Sequence, residues 1–167
     1  MGTKPTDVRV VSAELYLIPV KARVPIKFGP EVLTEVTCAR VRLTVENAQG
    51  QAAIGWGETP LNVQWVWPSD LSYAVRHDAL VELCHTLTAE WVSFVASGHP
   101  LEIGYDFQKS VLPQLRANFN HARNETAGGS VEELPYLAAL VCCSPFDIAL
   151  HDAYGRLLGR DTYETYT

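Results

Sequence analysis

Charge is scarce in this chain. Asp, Glu, Lys and Arg make up 19% of its 167 residues, below the ~25% usual for soluble domains, so the surface is expected to carry more apolar area than a free monomer should. The net charge is −6, from 13 basic and 19 acidic residues. Binding phosphates needs a basic face, so nucleic acid is not an expected partner. No apolar run approaches the ~18 residues of a membrane span, and no membrane partner is expected. The opening MGTKPTDVRV lacks the apolar core of a signal peptide, which makes the cytoplasm the expected location. Cysteine is limited to Cys38, Cys84, Cys142 and Cys143, with no C-x-x-C pair. The adjacent two do not bridge without straining the backbone, so reduced and mostly buried thiols are expected. Phosphate-cradling motifs of the G-x-x-x-x-G-K and G-x-G-x-x-G types are absent, as is a G-x-S-x-G elbow. The chain is also too short for a complete (β/α)₈ barrel, which takes about 200 residues at the least.

What is present is enough apolar residue, 47%, to build one ordinary core. After a tail at residues 1–7, the first third reads as strands over 8–19, 35–46 and 51–58. Ala39, Val41, Leu43 and Val45 alternate with Arg40, Arg42, Thr44 and Glu46, the period-two pattern of a strand with one buried side. Asn47-Ala48-Gln49-Gly50 supplies a turn in which Gly50 suits a positive φ. Short connections favour an antiparallel meander. Residues 21–34, with Pro25, Gly29 and Pro30, read as a loop too long for a tight turn. Its Val24, Ile26 and Phe28 are apolar, and a loop that exposes apolar residues usually meets a ligand or another domain.

The remainder reads as helices at about 70–96, 102–122 and 134–158. Leu80, Cys84, Leu87, Trp91 and Val95 form one stripe, and Ile103, Phe107, Val111, Leu115 and Phe119 form a second, each at helical spacing. Ser69 or Asp70 is a candidate cap for the first helix. Pro113 is expected to kink or split the second. The third is expected to break at Ser144-Pro145, with Ser144 as an N-cap, Pro145 in the first turn and Asp147 near the positive end of the dipole. Gly159 marks its end. Strands followed by helices give an α+β fold: a three-stranded antiparallel meander and a bundle of three to four helices packed on one face.

Few constellations suggest chemistry. Asp147 and His151, four apart on a helix, share a face, but two ligands do not make a metal site. A capping aspartate and a satisfied histidine are the favoured reading. Glu58 ends the third strand, and as a general acid/base it lacks a partner group. Trp65 and Trp67 lie between Pro60 and Pro68 and either fold back over the helices or cover a neighbouring surface.

Three segments in order resemble one family. They are the Val-Pro-containing stretch Val20 to Phe28 leading into strand Val36 to Val45, the segment GQAAIGWGE at Gly50 to Glu58, and SPFDIALHDAYGRLLGRDTYE at Ser144 to Glu164. The second is similar to a family strand closing in G-x-G-E. The third is similar to a helix of the form S-A-I-D-x-A-L-W-D followed by a basic residue, L-G and a P-V-Y-E-like run, with Pro145, His151 and Thr162 as departures. GHPLEI at Gly98 to Ile103 is a weaker fourth match. Together they resemble the N-terminal capping domain of the mandelate racemase / muconate lactonizing enzyme group of the enolase superfamily, spanning 8–160, with 161–167 as the start of a linker to a barrel domain outside these residues.

The resemblance implies a cap over a (β/α)₈ barrel, supplied in cis or in trans. That barrel carries the bases and the Mg²⁺ ligands for α-proton abstraction from a small carboxylate substrate, in a racemase, dehydratase or cycloisomerase. It implies no catalytic residue and no metal ligand in this chain, which is expected to be inactive alone. It also implies two substrate-facing segments, with Val24, Ile26 and Phe28 on the first and Asn62 and Trp65 on the second. A homo-oligomer is expected from the low charge content. The alternative is a free-standing binding or self-association module that kept the cap fold without catalysis.

Overall fold

A computed structural model describes residues 4–28 and 31–166, the side chains of Phe28 and Glu31 excepted. Strands β1 (Val8–Phe28), β2 (Glu31–Asn47) and β3 (Ala52–Pro60) form one antiparallel sheet in the order β1-β2-β3. Leu15 pairs with Val41, and Val41 with Gly57. The alternation read in β2 is realised: Ala39, Val41, Leu43 and Val45 are all 0% exposed and form the sheet's contribution to the core. The β2–β3 turn is held by Asn47, whose Oδ1 accepts from the backbone N–H of Gln49 (3.1 Å) and Gln51 (2.9 Å). Gly50 there takes φ 76°, a value that side chains disfavour.

Helices cover the inner face: α1 (Val63–Val66), α2 (Tyr73–Ser93), α3 (Pro100–Asp106), α4 (Leu112–Ala127) and α5 (Tyr136–Leu158), with a closing 3₁₀ turn at Thr162–Tyr166. The α+β meander-then-helices architecture is therefore the observed one. An aromatic stack lies at its centre. Trp91 of α2 lies flat on Phe107, with centroids 4.1 Å apart and planes at 10°, and Phe94 meets Phe107 edge-on at 84°. No helix among the described residues is long and apolar enough to cross a membrane.

The boundaries differ from expectation in instructive places. Residues 21–34 are not a loop. Where they are described, they continue β1 and β2, with Lys21 opposite Glu35 and Ile26 opposite Leu33. Val20, Val24, Ile26, Val32 and Val36 supply β-branched positions that suit extended backbone. Pro25 is tolerated because β1 is an edge strand and its pairing shifts register between Lys21 and Ile26. Gly29 and Pro30 lie outside the described residues.

Helix α2 is shorter than 70–96. Ser72 is its cap, and Ser69 instead donates to Glu132 Oε2 at 2.6 Å. The 102–122 helix starts earlier, at Pro100. There His99 accepts from Leu101 N (3.2 Å) while Glu102 accepts from His99 N (3.0 Å), which closes a capping box. It passes through a π-helical turn at Phe107–Val111, which leaves Pro113 in the first turn of α4, where a missing N–H is harmless. Helix α5 does not break at Ser144-Pro145, although an interior proline costs about 3 kcal/mol.

Contact with β3 explains that continuity. Pro145, Ala149 and Ala153 recur every four residues on α5 and form a smooth stripe against Gly55 and Gly57. A methyl on Gly57 would overlap the Pro145 carbonyl oxygen, and one on Gly55 would overlap the backbone of Ala149 and Ala153. Ser144 takes a hydrogen bond from Thr59 Oγ1 (3.0 Å) instead of capping a helix. The G-x-G of the third strand is thus a packing device. It lets a helix lie directly on a strand.

Candidate functional site

Beyond the last β2–β3 pair, Cys38 with Pro60, strands β1 and β2 run on alone as a two-stranded arm, from the pair Pro19–Thr37 outward. Among the described residues, none from 18–37 belongs to the hydrophobic core. Val24 is 69% exposed, and Ile26 and Val32 are more than half exposed. Lys21, Arg23 and Lys27 are also exposed, so the arm combines apolar and positively charged side chains. A two-stranded ribbon is marginal by itself, and this one is anchored at its base. Leu61 N donates to Thr37 O (2.8 Å), and the Thr37 hydroxyl lies 2.9 Å from His77 Nε2. Tyr73 stacks on His77 with centroids 5.6 Å apart. Burial, and then the nearby Glu35, push the Tyr73 phenol up from its ordinary pKa.

The single turn α1 begins at this base. Asn62 is its cap and receives the Trp65 N–H. Trp65 is 51% exposed. Trp67, two residues on, is wholly buried. Its Nε1–H donates to Glu132 Oε1 at 2.8 Å, and Arg123 lies over its ring at 5.1 Å. The two tryptophans therefore divide the two readings between them: Trp67 folds back onto the helices, and Trp65 faces outward. Of the residues singled out, Val24, Ile26, Asn62 and Trp65 fall on the arm or at its base. The Phe28 side chain lies outside the described residues. This end of the molecule offers exposed apolar side chains among charges of both signs, with Glu35 opposite Lys21.

Glu58 stands apart, on the outer face of the sheet, accepting from Arg40 Nε at 2.6 Å. Beside it Glu14 accepts from the Tyr16 hydroxyl (2.7 Å) and pairs with Arg42, and Tyr16 tilts against Trp56 at 5.9 Å. These ion pairs lie on open surface. They give Glu58 no enclosed space in which to exchange a proton.

Asp147 and His151 do share a face of α5, and the structure adds partners that spacing did not reveal. Tyr166 Oη is 3.0 Å from His151 Nδ1, and His99 Nε2 is 3.0 Å from Thr165 O. Because His99 Nδ1 already accepts from Leu101 N, its Nε2 carries the proton and donates. Burial pushes the Asp147 carboxyl up and the His151 imidazole down, each opposed by the other's charge. The neighbouring Asp152 is committed: it accepts from Trp56 N (2.8 Å) and Arg156 Nε (3.0 Å). Asp147 caps nothing, because α5 has no terminus there. Among the described residues no group of three His, Cys, Asp or Glu side chains is placed to hold a metal ion. The Mg²⁺ implied by the resemblance therefore finds no ligand set among the described residues.

No family model matches the sequence, and no curated protein matches it. Solved structures do. The L-Ala-D/L-Glu epimerase from Bacillus subtilis, in a substrate-liganded complex, superposes with a TM-score of 0.50 at 15% identity, covering 93% of this chain and 33% of that one. An enolase from Bradyrhizobium complexed with magnesium and mandelic acid gives 0.49 at 13% identity, over 95% and 34%. L-talarate/galactarate dehydratase from Salmonella typhimurium LT2 gives 0.47 at 14%, over 98% and 35%. The chain spans about a third of the length of each. At such identities the likeness to the epimerase is one of fold.

Proposed function

We propose that this chain is the substrate-covering domain of an enolase-superfamily enzyme that abstracts an α-proton from a small carboxylate. In this reading the (β/α)₈ barrel, in cis or in trans, supplies the bases and the Mg²⁺ site. The observation that carries the reading is the arm. A fold shared with one third of an epimerase extends a ribbon whose Val24 and Ile26 stand exposed outside the hydrophobic core, with Trp65 exposed beside its base. Apolar side chains held out on a braced ribbon suit closure over a pocket, where they shape it and exclude water. Barrel chemistry needs a metal because an α-proton is very weakly acidic, and that chemistry belongs to the barrel.

The test is Mg²⁺-dependent exchange of the α-proton for deuterium on a panel of hydroxy acids, sugar acids and dipeptides. The pure chain is expected to give none. A polypeptide joining it to a (β/α)₈ barrel encoded with it is expected to exchange, and to lose most of that activity when Val24, Ile26 and Trp65 are replaced by serine. Turnover by the chain alone would overturn the proposal, and so would full activity of the triple variant. In the same reading the low charge content and exposed arm favour a homo-oligomer, read out by the mass in solution.

A further inference from the structure

The two edges of the sheet are finished differently. On β3, Asp152 takes the outward Trp56 N–H at 2.8 Å. On β1, Gly98 covers only the base, where Val8 and Gly98 exchange N–H to carbonyl bonds of 3.1 Å in both directions. Further along, the edge is open. The odd-numbered residues of β2 turn their backbone groups to β3, as the bonds from Leu61 N to Thr37 O and from Asn47 N to Gln51 O show, so the even-numbered ones turn to β1. Thr44, Arg42 and Arg40 therefore bond with their partners Ser12, Glu14 and Tyr16. Ala13, Leu15 and Leu17 alternate with these and aim their backbone groups outward. No backbone hydrogen bond from outside the sheet meets them among the described residues. Beside them β1 and α2 line a groove of about 580 Å³ with Ala13, Leu15, His85, Ala89 and Val92. Neither the arm nor the closing 3₁₀ turn contributes to its lining.

Open strand edges are normally guarded by lysine, proline or a bulge. Here the guards stand at the limits of the open stretch: a register shift between Val10 and Ser12 at one end, Pro19 at the other. Between them the only charged side chain is Glu14. The stretch is also complementary to itself. Leu15 lies midway between Val11 and Pro19, so a second copy laid antiparallel about Leu15 sets Leu15 against Leu15 and Ala13 against Leu17. That register alone pairs all the outward residues of each copy with one another. A register centred on Glu14 opposes the two carboxylates and carries Leu17 onto the register shift. One centred on Tyr16 carries Ala13 onto Pro19, which has no donor. In the register centred on Leu15, Glu14 of each copy instead meets Tyr16 of the other, an acceptor opposite a phenol. The same two-fold turns groove toward groove and covers Val92, which is 41% exposed.

We infer that the edge of β1 is an interface with a second copy of this chain, a two-fold contact in which the stretches around Leu15 pair antiparallel and the two sheets become one. The inference names the surface of the homo-oligomer expected above and does not depend on the covering role. Its test uses this chain alone. The mass in solution is followed from about 5 to about 200 µM and is expected to rise from 18.5 kDa toward twice that value. Over the same range amide exchange is followed by NMR. The N–H groups of Ala13, Leu15 and Leu17 are expected to exchange at least about tenfold more slowly in the concentrated sample, whereas those of Glu14 and Tyr16, bonded within the sheet, are expected to be slow throughout. Tyr16 is 43% exposed, so changes there spare the core. Tyr16→Glu sets like charges across the two-fold and is expected to weaken the dimer about tenfold; Tyr16→Lys sets opposite charges there and is expected to hold it. A monomer at the highest concentration, or a dimer weakened equally by both variants, would overturn the inference. A dimer whose Ala13, Leu15 and Leu17 amides ignore concentration would overturn it too, while leaving the homo-oligomer itself standing.

Discussion

Gly57 of β3 lies directly against the backbone carbonyl of Pro145, leaving no space for even a methyl group between strand and helix. The relationship ties together two features that each look like a defect alone: a glycine inside a strand and a proline inside a helix. Pro145 supplies a flat, donor-free turn of α5, and Gly57 removes the side chain that would hold that turn away. The strand edge beyond is then reached by Asp152, which accepts the Trp56 N–H at 2.8 Å.

Gly57→Ala is therefore expected to cost about 3 kcal/mol, toward the upper end of overpacking penalties, and to lower the melting temperature by roughly 6–12 °C in a chain of this size. Gly129 provides the control. Nothing lies within 4 Å of where its Cβ would stand, and Gly129→Ala should change stability by less than about 0.5 kcal/mol. Thermal melts that put the two variants on a par would mean α5 does not rest on β3 in this way.

Glu132 joins the buried Trp67 indole and the Ser69 hydroxyl, at 2.8 and 2.6 Å. The Ser69 bond first, and the Trp67 bond second, hold its carboxyl below the ordinary 4.5. A carboxyl lowered on folding stabilises the native state above its unfolded pKa, and that contribution fades as pH falls through the folded value. Glu132→Gln should then be less stable than the parent near neutrality. The gap in urea midpoints should narrow steadily below about pH 4. A gap independent of pH would show that the carboxylate charge plays no part in seating the tryptophan.

How much of this was readable in the residues depends on which forces were local. The β2 face was legible because one side of that strand meets the core and the other meets water, and period two records the difference. The arm was not, because Pro25 and the Gly29-Pro30 pair read as loop chemistry. Edge-strand pairing and a register shift absorb the first of these, and neither leaves a local signature. Pro145 misled for a similar reason. Its cost to the helix is local, while the contact that offsets it comes from Gly57, far away in sequence. The contact between His151 and Tyr166 crosses the turn that ends α5. Only the Asp147–His151 spacing was visible, and spacing alone suggested a cap or a metal ligand.

The four thiols are buried, and three of them, Cys38, Cys142 and Cys143, set the alkaline limb of stability. Burial pushes Cys143 up to about 12 and Cys142 well above its ordinary 9.0, and it raises Cys38 as well. A thiol raised on folding favours the native state below its unfolded pKa, and that support is lost as pH climbs toward the folded value. Stability should fall between about 9 and 12, and native protein at mildly alkaline pH should show no fast-reacting thiol toward a disulfide reagent, since the thiolate is the nucleophile. All four should react in strong denaturant. A rapidly modified Cys84 or Cys142 in the native state would contradict the packing of α2 on α5, where the two meet.

The arm offers the sharpest separation of folding from function. None of its described side chains enters the core, and its base is fixed by the Leu61–Thr37 hydrogen bond and the His77–Thr37 contact, both of which survive if the ribbon is shortened. Replacing residues 22–34 with a two-residue Asn-Gly turn, which joins the paired Lys21 and Glu35 without strain, should leave the helical circular dichroism intact. The melting temperature should stay within about 5 °C of the parent, equivalent to roughly 1–2 kcal/mol. The exposed apolar area should fall, measured as weaker binding of a hydrophobic dye. If the ribbon were structural, its removal would unfold β1 and β2 together and the melt would broaden or vanish. Retained folding with diminished dye binding would leave Val24 and Ile26 with no role inside the domain. Their apolar surface would then have to be explained by something the domain covers.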